Sequence, residues 1–315
     1  MLTIEDIKSA QANVYKHLKP TPLYHYNGLS DLLGTDVWVK HENHLPIGVF
    51  KVRGGVNLAA SLTDEEKKRG FYTASSGNHG QSIAYASRAL GIKATIAVPE
   101  DANREKVALM KGMGAEVLFH GKDFDSAREW VKELCKEKNG VFVSPVDDEL
   151  ICGVGTYALE ILDDLPDVDQ IFVPVGAGSG VCGTCIVAKN TDSTIKVVGV
   201  QSTEAPTVQR SWKSGELLSG EMNTTVEGIA TRVAFESTQN IMKKYLDDFI
   251  LVSDESIYEA LNLLIRHTHN LVEGAGAAAY AGALSVKENL TGQKVVVVMS
   301  GGNISTDRLK KVLTA

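Results

Sequence analysis

Lys51 is the side chain in this sequence with the clearest potential for covalent chemistry. It follows a Pro-x-Gly turn at Pro46–Gly48, and its neighbours Phe50 and Val52 are apolar. An amine held in apolar surroundings has a lowered pKa, and a neutral amine can form a Schiff base with an aldehyde. Most lysines are solvated, so the pattern around Lys51 indicates such chemistry only together with other motifs.

A second concentration of polar residues follows a predicted strand at Phe71–Ala74. Residues 75–81 read Ser-Ser-Gly-Asn-His-Gly-Gln, and a helix is predicted to begin near His79. Hydroxyls, amides and backbone N–H groups at the carboxyl end of a strand lie where open α/β sheets bind ligands. The segment therefore predicts a cradle for a small anion, with a simple helix-capping loop as the alternative.

A glycine-rich turn lies between a predicted strand at Ile171–Val175 and a predicted helix. Its four glycines are Gly176, Gly178, Gly180 and Gly183. Glycine lets the backbone approach an anion, and the N–H groups at a helix N-terminus point toward it, so this turn predicts a phosphate site. The spacing from Gly178 to Gly183 also matches the dinucleotide fingerprint, with Glu204 following 21 residues later. A nicotinamide-dependent dehydrogenase and a plain strand-to-helix turn therefore remain alternatives at this point.

The elements that must position these motifs alternate between strands and helices, which predicts parallel sheets with helical crossovers. The first series has predicted strands at 71–74, 94–98, 116–119 and 141–143, with helices at 79–90, 103–112 and 123–137. The second series has predicted strands at 171–175, 196–200, 249–252 and 294–299, with helices near 180–189, 254–271 and 273–287. A helix near 4–17 and a strand at 36–41 are assigned to the second sheet.

These two series predict two α/β domains. The larger domain is expected to comprise residues 1–69 and 146–315, with residues 70–145 inserted as a smaller α/β domain. The cleft between two such domains is the expected site. About a dozen residues follow the motif at 300–303, including one short helix from Asp307, so no C-terminal regulatory domain is expected.

The composition describes 315 residues with 43% hydrophobic and 23% charged side chains, which excludes global disorder. A net charge of −7 and a pI near 5.7 provide no basic field for nucleic-acid phosphates or anionic lipids. The N-terminus lacks a secretory-signal pattern, and no apolar run approaches the length of a membrane span. We therefore expect a cytoplasmic protein without nucleic-acid or membrane partners.

The four cysteines are too few for a disulfide framework in a chain of this length. Cys182 and Cys185 have CxxC spacing, which would suit a redox pair or half of a zinc site. No second CxxC or His pair lies at zinc-finger spacing. We therefore expect both cysteines to pack at a helix start.

Five motifs follow one another along the chain in an order that resembles the fold-type II pyridoxal-phosphate enzymes. They are Pro46–Gly55, Ser75–Gln81, the glycine-rich turn at 176–183, residues 273–278 and Ser300–Asn303. Within that class the chain is most similar to the threonine/serine dehydratase and serine racemase group, from about residue 17 to 310. The resemblance implies a tryptophan synthase β-like α/β fold with two open parallel-sheet domains. It displaces the dehydrogenase alternative, because that fold has no use for Lys51 and the motif at 75–81.

The resemblance implies roles toward pyridoxal 5′-phosphate (PLP) as the cofactor. Lys51 would carry PLP as a Schiff base and would act as the base that removes the Cα proton of the substrate. Phe50 would lie against the cofactor ring, Asn78 would hydrogen-bond its 3′-oxygen, and Ser300 would face its pyridine nitrogen. The backbone amides expected to bind the phosphate are those of Gly176, Ala177, Gly178, Ser179 and Gly180.

The resemblance also implies where the substrate binds. The residues expected to receive its carboxylate are Ser75, Ser76, Gly77, Asn78 and His79. Ser76 has a second implied role as a catalytic residue, because in the racemases a serine at this point reprotonates Cα from the face opposite the lysine. Ile47 and Val49 stand where the group usually has hydroxyl residues, which leaves the β-substituent open. Gln201 stands where the racemases have the first carboxylate of a metal site, so no metal is predicted.

The implied reaction is elimination, because a serine hydroxyl does not keep the pyridine nitrogen protonated and elimination needs only modest carbanion stabilisation. We therefore expect a PLP-dependent ammonia-lyase (dehydratase) that converts a β-hydroxy amino acid such as L-threonine or L-serine to a 2-keto acid and ammonia. One alternative is a serine or other amino-acid racemase, and another is a dehydratase of phenylserine or hydroxyaspartate. A third is a non-catalytic binding protein on the same fold. The resemblance further implies a homodimer.

Overall fold

The computed structural model describes residues 2–314, which contain ten strands and fourteen α-helices. The strands are β1 (Leu23–His25), β2 (Asp36–His41), β3 (Phe71–Ala74), β4 (Ala94–Val98), β5 (Glu116–Phe119), β6 (Val141–Phe142), β7 (Gln170–Pro174), β8 (Lys196–Ser202), β9 (Asp248–Val252) and β10 (Lys294–Met299). The helices are α1 (Ile4–Val14), α2 (Asn27–Leu33), α3 (Lys51–Ser61), α4 (Asp64–Arg69), α5 (Asn78–Leu90), α6 (Arg104–Gly112), α7 (Phe124–Glu137), α8 (Asp148–Asp164), α9 (Ser179–Thr191), α10 (Thr207–Ser214), α11 (Glu236–Tyr245), α12 (Asp254–Thr268), α13 (Gly274–Ser285) and α14 (Thr306–Thr314).

The described residues form two compact units. The larger unit comprises residues 2–8, 20–50 and 155–314, and the smaller unit comprises residues 9–19 and 51–154. The sequence pattern assigns 9–19, 51–69 and 146–154 to the larger domain, whereas the structure groups these three segments with the smaller unit. Within that unit α3 packs closely on α5. Glycine at position 55 permits this approach, since a Cβ there would lie only 2.4 Å from Ser82 Oγ.

The larger unit contains a sheet with strand order β1-β2-β10-β7-β8-β9. Strand β1 pairs antiparallel with β2, and all other neighbours are parallel. The central strands β7 and β10 are buried almost throughout, which explains their nearly continuous apolar sequence. The Ala- and Gly-rich helix α13 lies against this sheet, and a Cβ on Gly282 would lie 2.4 Å from Val200 Cγ2. The small side chains of α13 therefore permit this close approach.

The smaller unit contains a fully parallel sheet with strand order β5-β4-β3-β6. Strand β4 is buried along its whole length, and β3 is buried except at Tyr72. Because all four strands run in the same direction, their carboxyl ends meet at one edge of the sheet. The polar motif at 75–81 begins at that edge, directly after β3.

The predicted α/β alternation is confirmed, and the observed bounds equal the predicted ones for β2, β3, β4, β5 and β10. Both N-terminal strands belong to the larger sheet, as expected for β2. Six helices within residues 2–314 lie outside the predicted set: α2, α3, α4, α8, α10 and α11. Helix α4 begins with a capping box between Thr63 and Glu66, a signal that the sequence does contain. No helix within residues 2–314 is long and apolar enough to cross a lipid bilayer.

Cys182 and Cys185 lie fully buried in α9, so the prediction that they pack at a helix start is confirmed. Burial raises the pKa of both thiols, which keeps them protonated and disfavours redox exchange or metal ligation. Within residues 2–314 no group of three or more His, Cys, Asp or Glu side chains is arranged to hold a metal ion.

Candidate active site

Lys51 is the first residue of α3 and follows a sharp turn at Gly48. Gly48 has a φ of +68°, in the left-handed region that favours glycine, and its N–H donates to the carbonyl oxygen of Leu45. Lys51 is half-buried. Its carbonyl oxygen accepts a hydrogen bond from Ser82 Oγ in α5 at 2.6 Å. The start of α3 is therefore fixed against the helix that follows the polar motif at 75–81.

The segment before Lys51 runs antiparallel to the segment that follows β10, within the larger unit. Phe50 N donates to the carbonyl oxygen of Ser300 at 3.0 Å, and Gly302 N donates to that of Gly48 at 2.8 Å. The side chain of Asn303 adds a third bond, from Nδ2 to the carbonyl oxygen of Ile47 at 2.9 Å. Three hydrogen bonds thus hold the segment that precedes Lys51 beside the segment that begins at the buried Ser300.

The polar loop of the smaller unit connects β3 to α5. Ser75 is buried, and its Oγ accepts a hydrogen bond from the N–H of Gly77 at 3.2 Å. Ser76, Gly77 and Asn78 are half-buried. Gly77 is the N-cap of α5 and supplies no capping side chain, so the first turn of this helix can present backbone N–H groups to an anion. The loop thus combines hydroxyls and a helix N-terminus, as a carboxylate site requires.

His79 is buried beside this loop and is held in its neutral form. Its Nε2 lies 3.1 Å from Thr73 Oγ1, and that hydroxyl donates to the carbonyl oxygen of Val143 at 2.8 Å. The backbone of Val143 is also a hydrogen-bond partner of the His79 ring. Burial, and secondarily the charge of Lys51, lowers the pKa of His79 to about 3. His79 is therefore uncharged at neutral pH.

The glycine-rich loop of the larger unit connects β7 to α9 in a conformation that depends on glycine. Gly178 has a φ of +110°, and a Cβ there would lie 2.9 Å from Thr238 Cβ. At Gly176 a Cβ would lie 2.6 Å from the carbonyl oxygen of Gly228. Thr238 also fixes the loop directly, because its Oγ1 donates to the carbonyl oxygen of Ala177 at 2.9 Å. Side chains at Gly176 and Gly178 would displace these neighbours.

This loop fits a phosphate group. Helix α9 begins at Ser179, and its N-cap, Gly178, supplies no side chain that could occupy the first-turn N–H groups. The partial positive charge of a helix N-terminus favours an anion there. The small residues from Gly176 to Gly180 let a phosphate approach the backbone, and Ser179 adds a hydroxyl.

The predicted site residues fall into two groups, each assembled within its own unit. In the larger unit, Phe50 reaches both the Ser300 segment and the glycine-rich loop, where a Cβ on Gly180 would lie 3.4 Å from Phe50 Cε2. In the smaller unit, Lys51 is joined to α5 and its charge acts on His79.

Sequence reasoning missed two residues that hold the glycine-rich loop. Thr238 bonds to Ala177, and the buried Tyr157 bonds to Gly180 at 3.0 Å. Neither lies near the loop in sequence. Tyr157 is in α8, whose glycine-containing sequence gives little helical signal, so its contact with the loop could not be predicted.

Comparison with known proteins identifies the family. A family model described as pyridoxal-phosphate dependent enzyme matches residues 14–301. The chain belongs to this family. The predicted fold, the enzyme class and PLP as the cofactor of this PLP-dependent enzyme are thereby confirmed, and the dinucleotide reading of the glycine-rich loop is set aside.

Similar proteins extend over nearly the whole length of this PLP-dependent enzyme. An L-threonine ammonia-lyase from Thermotoga maritima is 37% identical over 316 residues, covering 99% of this chain and 78% of the relative. Threonine deaminase isoform 2 from Solanum lycopersicum has a TM-score of 0.94 and 30% identity, with 99% and 92% of the two chains covered. Serine racemase from Dictyostelium discoideum has a TM-score of 0.91 and 33% identity, with 96% and 99% covered.

Proposed function

We propose that this protein is a PLP-dependent ammonia-lyase that eliminates water from a β-hydroxy amino acid, with L-threonine and L-serine as substrates. The observation that carries the proposal is the pairing of the segment before Lys51 with the segment at Ser300. This pairing holds Phe50, the residue before the candidate base Lys51, beside Ser300. The neutral hydroxyl of Ser300 suits elimination. The relative from T. maritima, named for threonine ammonia-lyase activity, supports the same reaction.

The cofactor supplies an aldehyde that condenses with amines and a ring that accepts electrons from Cα. Lys51 would hold that aldehyde through its amine and, once released, would remove the Cα proton of the substrate at Nζ. Phe50 would pack against the ring, Asn78 would donate to its oxygen substituent, and Ser300 would face its nitrogen without charging it. The backbone N–H groups from Gly176 to Gly180 would bind the phosphate.

The loop at Ser75–His79 binds the substrate carboxylate through hydroxyls and backbone N–H groups. No cationic side chain is needed to balance the negative charge of the carboxylate, because the N-terminus of α5 favours an anion. Neutral His79 adds no positive charge. This arrangement orients the amino acid so that its Cα–H bond faces the lysine.

Racemisation is the second candidate function, and Ser76 is the residue that favours it. Ser76 is a half-buried hydroxyl in the loop that we assign to the substrate carboxylate. A hydroxyl on the face opposite Lys51 would return a proton to Cα and yield the D-amino acid. The structural likeness to a serine racemase supports keeping this activity as a second candidate.

We further propose that the protein works as a homodimer in the cytoplasm. The family resemblance supports the dimer, and the four free cysteines fit a reducing compartment such as the cytoplasm. Light scattering on the purified protein should give about twice the chain mass of 33.9 kDa. A mass equal to one chain would contradict the dimer.

The test of the proposed function is a product assay with PLP present. L-threonine, L-serine, phenylserine, hydroxyaspartate and the D-forms of threonine and serine are supplied separately, and 2-keto acid, ammonia and D-amino acid are measured. Equimolar 2-keto acid and ammonia from L-threonine or L-serine is the expected result. D-serine without pyruvate would instead establish the racemase, and no product from any of the six would contradict both functions.

A further inference from the structure

A buried tyrosine contacts the glycine-rich loop and the residue before Lys51 at the same time. Tyr157 lies in α8 and is 1% exposed. Its hydroxyl oxygen lies 3.0 Å from the carbonyl oxygen of Gly180 and 2.7 Å from Thr184 Oγ1. Its ring packs edge-on against Phe50, with centroids 6.3 Å apart and an interplanar angle of 89°. One side chain thus touches both parts of the candidate cofactor site in the larger unit.

The hydrogen bonds around Tyr157 fix the carbonyl group of Gly180. Thr184 Oγ1 also lies 3.0 Å from this carbonyl oxygen, so three oxygens share two hydroxyl hydrogens. Both hydroxyls can donate to Gly180, or one of the two can donate to the other while the second donates to Gly180. In each arrangement the carbonyl of Gly180 accepts at least one hydroxyl hydrogen. Hydroxyl groups of Tyr157 and Thr184 therefore fix the orientation of this peptide group in the first turn of α9.

Gly180 provides the space that this contact requires. Its φ is not in the left-handed region, so backbone conformation does not demand glycine here. A Cβ would lie 3.4 Å from both Phe50 Cε2 and the Tyr157 hydroxyl oxygen, so alanine would just fit and a larger side chain would not. The volume beside Gly180 is thus occupied by the rings of Phe50 and Tyr157.

We infer that Tyr157 is a positioning residue for the phosphate of PLP. It acts through Gly180, whose peptide belongs to the helix N-terminus that faces the phosphate, and it braces the ring of Phe50. Removing its hydroxyl leaves Thr184 as the only hydroxyl that holds this carbonyl. The peptide between Gly180 and Val181 is then held less firmly, which weakens the alignment of the N–H groups in the first turn of α9 with the phosphate. The inference rests on the proposed role of Gly176–Gly180 as the phosphate loop.

The test compares Tyr157→Phe with Tyr280→Phe in the full chain after removal of PLP. Tyr280 is also fully buried in the larger unit, and its hydroxyl donates to the carbonyl oxygen of Leu29 at 3.1 Å, so its variant loses a similar bond elsewhere. PLP and pyridoxal, which lacks the phosphate, are titrated separately by absorbance, and Tm is measured without ligand. Loss of one hydrogen bond should weaken PLP binding about fivefold in Tyr157→Phe.

The phosphate dependence separates positioning from a structural role. We expect pyridoxal to bind Tyr157→Phe within about twofold of wild type, and Tyr280→Phe to bind PLP within about twofold even if its Tm falls as far. Equal PLP affinity of wild type and Tyr157→Phe, or equal weakening for PLP and pyridoxal, would overturn the inference alone. A wild-type protein that binds no PLP would overturn the proposed function together with it.

Discussion

The backbone N–H of Phe50 donates a hydrogen bond to the carbonyl oxygen of Ser300, with 3.0 Å between nitrogen and oxygen. The residue before the candidate base is therefore tied by backbone atoms to the residue that we assign to the cofactor ring. Because this bond joins backbone atoms, side-chain changes at either position leave it in place. A side chain at Gly301, which lies opposite Val49, would instead push the two segments apart.

Gly301→Ala should separate these segments and destabilise the protein. The new Cβ would lie 2.5 Å from Glu273 Oε1 and 2.9 Å from Val49 Cγ2, both of which are buried. Overpacking of this kind costs about 1–3 kcal/mol in the free energy of unfolding. Urea denaturation measures it, with Gly112→Ala at the end of α6 as the control, because no atom lies within 4 Å of its Cβ. Equal stability of the two variants would contradict the close packing.

Gly178→Ala should weaken PLP binding by about tenfold or more. An alanine at a φ of +110° is strained, and its Cβ would meet Thr238 at 2.9 Å, so the loop must move away from the phosphate. PLP titration of the cofactor-free protein measures the loss. Gly215→Ala carries a similar strain, at a φ of +79° after α10, and should leave PLP affinity unchanged. Comparable losses in both variants would mean that strain alone is responsible.

His79 should make the stability of the protein depend on pH below about 6.5. The pKa of His79 is about 3 in the folded protein and about 6.5 in the unfolded chain. Between these values the unfolded chain binds a proton that the folded protein does not, so the free energy of unfolding falls as the pH falls. His41, whose pKa burial lowers to about 4, contributes with the same sign.

Replacing His79 by Gln should therefore reduce the slope of stability against pH. The reduction should reach about 1.4 kcal/mol per pH unit, which corresponds to one proton. Urea denaturation at several pH values between 4.5 and 7 measures the slope. His17→Gln, at an exposed position of the same unit, serves as the control and should keep the wild-type slope. An unchanged slope in His79→Gln would show that the buried ring does titrate in the folded protein.

The sequence pattern was sufficient to predict the strands of both sheets, because these strands are continuous apolar runs bounded by glycine and polar turns. It did not predict helix α3, where Gly54 and Gly55 lower the intrinsic helix propensity. The structure shows why glycine is needed: a Cβ on Gly54 would lie 2.7 Å from the carbonyl oxygen of Leu150. Tertiary packing thus forms a helix that local preference does not predict.

The site could be predicted as motifs but not as a set of contacts. Glycine spacing and the polar loop identify the residues that touch ligands, because those residue types are required by the chemistry. Tyr157 and Thr238 hold the glycine-rich loop from helices distant in sequence. A tyrosine or threonine on a helix has many possible uses, so nothing in its local sequence indicates such a contact.

Covalent attachment of PLP to Lys51 is the direct test of the proposed function. The protein is incubated with PLP and treated with sodium borohydride, which fixes a carbonyl compound condensed with an amine, and is then digested and analysed by mass spectrometry. We predict a pyridoxyl group on the peptide that contains Lys51, and neither label nor 2-keto acid from L-threonine with Lys51→Ala. A label on another lysine, or 2-keto acid formation that survives Lys51→Ala, would contradict the account.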